Sequence, residues 1–169
     1  VEDGLPVLRI PELTDEVLRG IGRVHLVGCG TAMHAGMVGK SAIETLARVP
    51  AEVDIASEFR YRDPILEKND LVIIISQSGE TLDSMAALRE AKKRGARVLS
   101  IVNVVGSSIA RESDDVLYTW AGPEIAVATT KAYSTQMAVL HLLGLYFGDV
   151  LGTVDYELSL IHISEPTRH

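Results

Sequence analysis

The chain has 169 residues, of which 47% are hydrophobic, and its formal net charge is −7. This length and composition allow one hydrophobic core, so we expect a single domain. Nucleic acids and anionic membranes normally require a basic face, so we expect neither as a partner. Cys29 is the only cysteine, which excludes a disulfide within the chain and favours a reducing, cytoplasmic location. No apolar run is long enough to span a bilayer.

Both ends of the chain are expected to lie outside the main domain, which we predict over residues 23–157. Residues 1–22 contain two prolines and a short helical pattern, and they predict a lead-in arm followed by a helix. Residues 158–169 resemble the translation of a sequencing adapter. We therefore expect this tail to be non-native, and we expect His162 and His169 not to act as ligands.

Between these ends, apolar runs alternate with helical patterns. The first helix is predicted over 14–20 with Thr14 as its N-cap, and Pro50 ends the second. Strands are predicted over 24–27, 52–56, 71–76, 97–103 and 116–120, and further helices over 31–49, 82–94, 107–112 and 131–147. Strands that alternate with helices predict parallel βαβ units. We therefore expect a doubly wound α/β fold, with a parallel five-stranded sheet between two layers of helices.

The buried face of the second helix is predicted from apolar residues that recur at helical spacing. They are Ala35, Val38, Ala42, Leu46 and Val49.

The third predicted strand runs directly into a polar turn, Ser76-Gln77-Ser78-Gly79-Glu80-Thr81. A helical pattern follows, so the free N–H groups and the positive dipole end of a helix lie beside these hydroxyls. Gly79 allows the backbone to turn without the steric cost of a Cβ atom. This combination favours phosphate binding. The alternative is a capped turn that binds no ligand.

Parallel sheets bind ligands beyond the carboxyl ends of their strands, and that rule brings together the loops 28–32, 76–81 and 124–130. In the first loop Met33 stands where a dinucleotide-binding fingerprint requires its third glycine, which favours a close-packed turn and no nucleotide cofactor. Cys29 has no evident histidine partner, so we do not interpret it as a nucleophile. His34 is interpreted as a solvated or capping side chain. We expect no metal site, because no set of histidine, cysteine or carboxylate side chains converges.

Three segments together resemble the first sugar-isomerase (SIS) subdomain of the glucosamine-6-phosphate synthase family, over roughly residues 23–136. They are Gly28-Cys29-Gly30-Thr31, Ser57-Glu58-Phe59-Arg60-Tyr61-Arg62 with the turn 76–81, and Ala126-Val127-Ala128-Thr129-Thr130-Lys131. The resemblance implies a flavodoxin-like sheet of order 2-1-3-4-5 that binds a sugar phosphate, fructose 6-phosphate or glucosamine 6-phosphate. It assigns the phosphate to Ser76, Gln77, Ser78 and Thr81, and the sugar to Cys29, Gly30, Thr31, Val127 and Thr129. Ala32 departs from the family, which commonly has serine there.

The resemblance also implies a division of labour. In the family the acid and base residues belong to a second SIS half, so we expect no catalytic residue in this chain. The chain would be the binding half of an enzyme that makes glucosamine 6-phosphate from fructose 6-phosphate and glutamine-derived ammonia, on the route to UDP-N-acetylglucosamine. Two alternatives remain: a non-catalytic SIS module that senses a sugar phosphate, and a related SIS isomerase or deglycase.

Assembly is expected through the last helix, because SIS subdomains normally pair. We expect Leu140, Leu143 and Tyr146 to form an exposed apolar surface that is covered in a homodimer or by a second SIS half. Arg60 and Arg62 are interpreted as members of structural ion pairs at a subunit contact, with phosphate binding as the alternative.

Overall fold

A computed structural model describes residues 8, 10–123 and 130–154. Its centre is a parallel sheet of five strands in the order β2-β1-β3-β4-β5. The strands are β1 Arg23–Gly28, β2 Ala51–Ile55, β3 Asp70–Ser76, β4 Arg97–Val102 and β5 Asp115–Tyr118. Every residue of the central strand β3 is buried, as a strand covered on both faces requires. The predicted fold class and strand order are confirmed.

Six α-helices connect or flank these strands in the described part of the chain. They are α1 Asp15–Arg19, α2 Thr31–Ala42, α3 Ala56–Phe59, α4 Leu82–Lys93, α5 Ser108–Glu112 and α6 Lys131–Leu151. Thr14 caps α1 as predicted, because its side chain accepts a hydrogen bond from the Val17 N–H. The second predicted helix differs from expectation, since α2 passes into a π-helical turn, Ile43–Ala47. Helix α3 was not predicted.

The helices form two layers with separate hydrophobic cores. On one face of the sheet, α1, α2 and α6 bury residues such as Leu26, Ile73 and Phe147. On the other face, α3, α4 and α5 bury residues such as Phe59 and Leu88. Successive side chains of a strand point to opposite faces, so the continuous apolar runs of β3 and β4 supply both cores.

Helix α6 packs closely on α2, and this contact corrects the predicted assembly surface. Leu140 and Leu143 are fully buried within the chain, and Tyr146 is partly buried with its hydroxyl 3.4 Å from an Asp15 carboxylate oxygen. A Cβ added at Gly144 would lie 3.2 Å from the backbone of Ala42, so glycine permits the close approach. The prediction of an exposed surface was wrong because these α6 side chains pack against α2 and the sheet within the same chain.

The buried face of α2 also differs from the prediction at one position. Val38 is 40% exposed, whereas Ala35, Ala42 and Val49 are buried. Glycines at 36 and 39 face the sheet and α6 in place of a larger side chain. Among the described helices, none is both long and apolar enough to cross a membrane. Within the predicted lead-in, only residues 1–7 and 9 lie outside the described residues, and its described part includes α1, which packs into the core on one face of the sheet. The adapter-like tail, residues 158–169, lies wholly outside the described residues, so that prediction remains untested.

Candidate functional site

A cavity of about 180 Å³ lies at the carboxyl ends of β1 and β3. Its walls are Cys29, Thr31, Ala32, Ile75, Ser76, Gln77, Ser78, Thr81, Ser84 and Gln136. This set includes six of the nine residues that the sequence assigns to a sugar phosphate. Of the other three, Gly30 lies between two wall residues, and Val127 and Thr129 lie outside the described residues.

Residues 76–81, here called the serine loop, fold around hydrogen bonds to their own hydroxyls. The Gly79 N–H donates to Ser76 Oγ at 3.1 Å, and the Glu80 N–H donates to Ser78 Oγ at 3.2 Å. The Thr81 hydroxyl lies 3.3 Å from Ser76 Oγ. A hydroxyl that accepts a bond still has its own proton to donate. The Ser78 proton and one of the two shared by Ser76 and Thr81 therefore remain for an anion in the cavity.

The serine loop is fixed to the start of α5. Gly79 has a left-handed φ of +67°, and an added Cβ there would lie 2.5 Å from Ser107 Cβ and closer still to its hydroxyl. The Glu80 carboxylate accepts a 2.8 Å bond from the Ser108 N–H, and bonds from Ser108 lower the pKa of Glu80. The Gly79 carbonyl accepts from the Ile109 N–H. The sequence therefore needs glycine at 79, as predicted.

Helix α4 begins at the cavity, with Thr81 as its N-cap residue. The Thr81 backbone is extended and its carbonyl accepts from the Met85 N–H at 3.0 Å, but its side chain caps no N–H group in the described structure. The first N–H groups of a helix have no partner within the helix and carry its positive dipole end. The Thr81 hydroxyl and these N–H groups are thus both available to a bound anion.

The first loop is tightly packed at its start. A Cβ added at Gly28 would lie 3.0 Å from the backbone of Ala32 and Met33, so the strand-to-helix turn has no room for a side chain. Gly30 has a φ of +56° and is the N-cap residue of α2. These contacts explain the two glycines as elements of a close-packed turn. His34 is exposed, with its Nδ1 3.0 Å from the Gly30 carbonyl oxygen, which agrees with the predicted solvated side chain.

Asn103, which follows β4, joins the serine loop to the segment after β5, and sequence reasoning missed it. Its backbone N–H donates to the Gln77 carbonyl at 3.1 Å. Its side-chain oxygen accepts from the Ala121 N–H at 2.8 Å and from the Thr119 hydroxyl at 3.0 Å, and its amide donates to the Gly122 carbonyl. A polar residue at the end of a buried strand was the available signal.

Ser84 and Gln136 are two further wall residues that sequence reasoning missed. Ser84 is 1% exposed and Gln136 is 2% exposed, and neither Ser84 Oγ nor Gln136 Oε1 has a hydrogen-bond partner among the described residues. Both lie inside helices, so they were counted as ordinary helical positions. The signal for Gln136 was its spacing, since it occupies the apolar stripe that contains Ala132 and Leu140.

A second polar cluster lies on β1 and β2, and it corrects the expectation that no metal-ligating side chains converge. Potential ligand atoms of His25, Glu52 and Asp54 lie within 4.8 Å of one another. Both carboxylates are already paired, because Arg23 lies 3.3 Å from Glu52 and Arg62 lies 2.6 Å from Asp54. The Arg62 pair lies within the chain and agrees with the predicted ion pair, whereas the predicted subunit contact stays a prediction.

Asp70 completes this group, with a carboxylate oxygen 3.5 Å from His25 Nε2. Burial raises the pKa of Asp54, and the nearby charge of Arg62 opposes that shift. We call the group the histidine cluster, and its members are His25, Arg23, Glu52, Asp54, Arg62 and Asp70. Arg60 lies outside it, with its guanidinium 4.4 Å from the centre of the Tyr61 ring.

The fold and the cavity define a class of parallel α/β domains whose candidate site lies at the carboxyl ends of the strands. Residues 17–146 match the SIS domain, and the chain belongs to the SIS domain family. Within that family it is 62% identical over 146 residues to the isomerizing glutamine–fructose-6-phosphate aminotransferase of Clostridium tetani, a match that covers 86% of this chain and 24% of that protein. The corresponding protein of Caldanaerobacter subterraneus is 56% identical over 165 residues, covering 98% and 27%. The chain thus spans about a quarter of these curated relatives.

Solved structures that resemble this chain include a domain of the same kind of aminotransferase. The C-terminal domain of glucosamine-fructose-6-phosphate aminotransferase from Francisella tularensis superposes with a TM-score of 0.88 at 38% identity, covering 96% of this chain and 48% of that one. A putative phosphosugar isomerase from Clostridium difficile 630 superposes with a TM-score of 0.80 at 25% identity, covering 90% and 44%.

Proposed function

We propose that this chain is the sugar-phosphate-binding half of the isomerase domain of an isomerising glutamine–fructose-6-phosphate aminotransferase. The proposal is carried by one observation: the hydroxyl-bearing residues of the serine loop and the N-terminus of α4 line the same cavity. The similarity to curated aminotransferases over most of the chain supports the choice of enzyme. We assign no catalytic residue and no cofactor to this chain.

The phosphate is proposed to lie against the serine loop. At neutral pH a phosphate monoester accepts hydrogen bonds and carries about two negative charges. Ser76, Gln77, Ser78 and Thr81 offer neutral donors, and the first turn of α4 adds N–H groups with positive partial charge. An acidic chain can hold an anion in this way because the attraction is local and needs no net positive charge.

The sugar is proposed to extend toward the first loop and the segment after β5. Cys29, Gly30 and Thr31 would line it, and the resemblance also assigns to it Val127 and Thr129, which lie outside the described residues. Ala32 contributes a methyl group to the wall where the family commonly has serine, so this chain makes one fewer hydroxyl contact there.

The catalytic step is proposed to need groups from outside this chain. Ring opening and proton transfer between adjacent carbons require an acid and a base within hydrogen-bond reach of the substrate. Among the described residues that form the cavity wall, none has a carboxylate, imidazole or ammonium group. A second SIS half is proposed to supply them, because a homodimer of this chain would duplicate the binding loops without adding the missing groups. A cytoplasmic location is proposed from the single free cysteine.

Calorimetry tests the binding proposal directly. We expect the chain to bind fructose 6-phosphate and to bind fructose far more weakly, because the serine loop recognises the phosphate. Ser78→Ala and Thr81→Ala should each weaken binding by about 1.5–3 kcal/mol, or roughly 10- to 150-fold, because each removes a hydrogen bond to a charged group.

A matched double variant, Ser113→Ala with Thr45→Ala, removes one hydroxyl of each kind away from the cavity wall and should leave the affinity unchanged. Equal affinity for fructose and fructose 6-phosphate would contradict the assignment. Glucosamine 6-phosphate formed by the chain alone with ammonia would contradict the absence of catalytic residues.

A further inference from the structure

Gln136 presents a buried acceptor to a cavity whose other polar groups suit an anion. Its side chain lies in the second turn of α6 and reaches the wall from the opposite helical layer to α4. Gln136 is 2% exposed, and no described residue donates to its Oε1 atom. A buried carbonyl oxygen without a donor loses about 1–3 kcal/mol relative to a satisfied one, so its retention in this wall needs an explanation.

The chemistry of the acceptor limits what can satisfy it. A phosphate dianion has no proton to donate, so it cannot bond to Gln136 Oε1 and would be repelled by that atom's partial negative charge. A sugar hydroxyl donates a proton and fits an acceptor. Gln136 therefore suits the polyol part of a ligand, whereas Ser76, Ser78 and Thr81 suit its phosphate.

We infer that Gln136 is a specificity-determining residue, whose Oε1 accepts a hydrogen bond from a hydroxyl of the bound sugar. This inference rests on the proposed function, because it places the ligand's phosphate at the serine loop. It adds that selection for a sugar phosphate over a bare phosphate comes in part from α6. Sites built to bond a substrate hydroxyl discriminate strongly against analogues that lack it, because the buried polar group is otherwise left unpaired.

The inference makes opposite predictions for stability and for binding. Gln136→Met replaces an amide whose buried Oε1 lacks a donor with an apolar side chain of similar length, which removes the unsatisfied acceptor when no ligand is bound. We expect the ligand-free variant to melt at the same temperature as the wild type or higher. The same variant should bind fructose 6-phosphate about three- to tenfold more weakly, because one neutral hydrogen bond is lost.

The experiment measures the affinity for fructose 6-phosphate by calorimetry and the affinity for inorganic phosphate by competition, on the wild type and its variants. For Gln136→Met we expect the affinity for inorganic phosphate to be unchanged, so the preference for the sugar phosphate falls three- to tenfold. Gln136→Glu keeps an acceptor at the same place and should retain that preference, although its negative charge weakens the binding of both ligands. Thr135→Val, a polar-to-apolar change next to it on α6, should change neither affinity.

Each remaining outcome overturns a defined part of the account. If Gln136→Met binds both ligands as the wild type does, or weakens both equally, Gln136 does not select the sugar. A marked fall in melting temperature without a change in preference would show a purely structural role. If the wild type binds fructose 6-phosphate no better than inorganic phosphate, the inference fails while phosphate binding stands, and if it binds neither ligand, the proposed function fails as well.

Discussion

The cavity at the serine loop and the histidine cluster are both polar regions of the same sheet, but they differ in charge and in whether their polar groups line a cavity. In the histidine cluster, Glu52 and Asp54 already face Arg23 and Arg62 within ion-pair distance. In the cavity, hydroxyls retain protons, and the acceptor of Gln136 has no partner among described residues. Buried atoms without a partner occur in both regions, because both ring nitrogens of His25 also lack a hydrogen-bond partner among the described residues. The candidate binding site differs in that its uncharged polar groups line a cavity, whereas the charged groups of the histidine cluster face one another.

The difference also has a positional cause. The carboxyl ends of parallel strands meet loops that lead into helix N-termini, whereas His25 lies three residues before the end of β1 and contacts charges on neighbouring strands. Backbone groups within the sheet are already paired across strands. At the carboxyl edge they become available to a ligand.

Gly79→Ala should give the largest effect, on both stability and ligand binding. The left-handed backbone and the approach to Ser107 together predict a loss of about 2–4 kcal/mol in the free energy of unfolding, with loss of fructose 6-phosphate binding. Gly106→Ala is the matched control, because Gly106 has a φ of +72° and an added Cβ there meets no atom within 4 Å. Equal losses in urea denaturation would show that strain alone, and not the anchoring of the serine loop, is responsible.

Asn103→Ala should have the next largest effect. It removes three side-chain hydrogen bonds to residues 119–122, and we expect about 1–3 kcal/mol of destabilisation together with weaker binding of fructose 6-phosphate. Asn69→Ala is the matched control. Asn69 is exposed and lies at the amino end of β3, away from the cavity, so the change should alter neither quantity appreciably. Unaltered binding by a destabilised Asn103→Ala variant would separate this residue from the site.

Arg62→Met tests the histidine cluster and should leave ligand binding unchanged. Because the Arg62 side chain is 46% exposed, we expect a stability loss of at most about 1 kcal/mol at neutral pH. Arg62 stabilises ionised Asp54, so the pKa of Asp54 should rise further in the variant. The stability difference should therefore disappear as the pH falls and Asp54 is protonated in both proteins. Urea denaturation at several pH values checks this, and a reduced affinity for fructose 6-phosphate would refute the separation of the two regions.

Glu80→Gln should give the smallest effect, and one that depends on pH. Hydrogen bonds from Ser108 hold the pKa of Glu80 below its usual range. A lowered pKa means that Glu80 stabilises the fold above the usual glutamate pKa and loses that contribution as the pH falls through the lowered one. The difference between wild type and Glu80→Gln should follow this course in thermal melts. A difference that grows on acidification would have the wrong sign.

The sequence predicted those features that depend on local pattern. The apolar run of β3 stops at Ser76 and a helical pattern follows, so the serine loop and its glycine were predictable from residues close in sequence. The alternation of strands and helices likewise predicted the parallel sheet. Helix α3 was missed because four residues are too few to show a helical period, and the π-helical turn was missed because it departs from that period.

The remaining errors concern contacts between elements that are distant in the sequence. The apolar stripe of α6 was predicted to be exposed in the single chain, because its spacing does not reveal that α2 covers Leu140 and Leu143 within the same chain. Gln136 and Asn103 were missed for a related reason. Their roles depend on a cavity and on loops that the chain brings together only when folded.

Assigned ¹H–¹⁵N spectra during a titration with fructose 6-phosphate would test the central claim most directly, because they locate the ligand residue by residue. We expect the largest shifts at the amides of Gly79 and Glu80 and in the first turn of α4, and small shifts at His25 and Glu52. Fructose should produce far smaller shifts at the serine loop. Shifts centred on the histidine cluster, or equal shifts with fructose, would contradict a phosphate site at the carboxyl edge of the sheet.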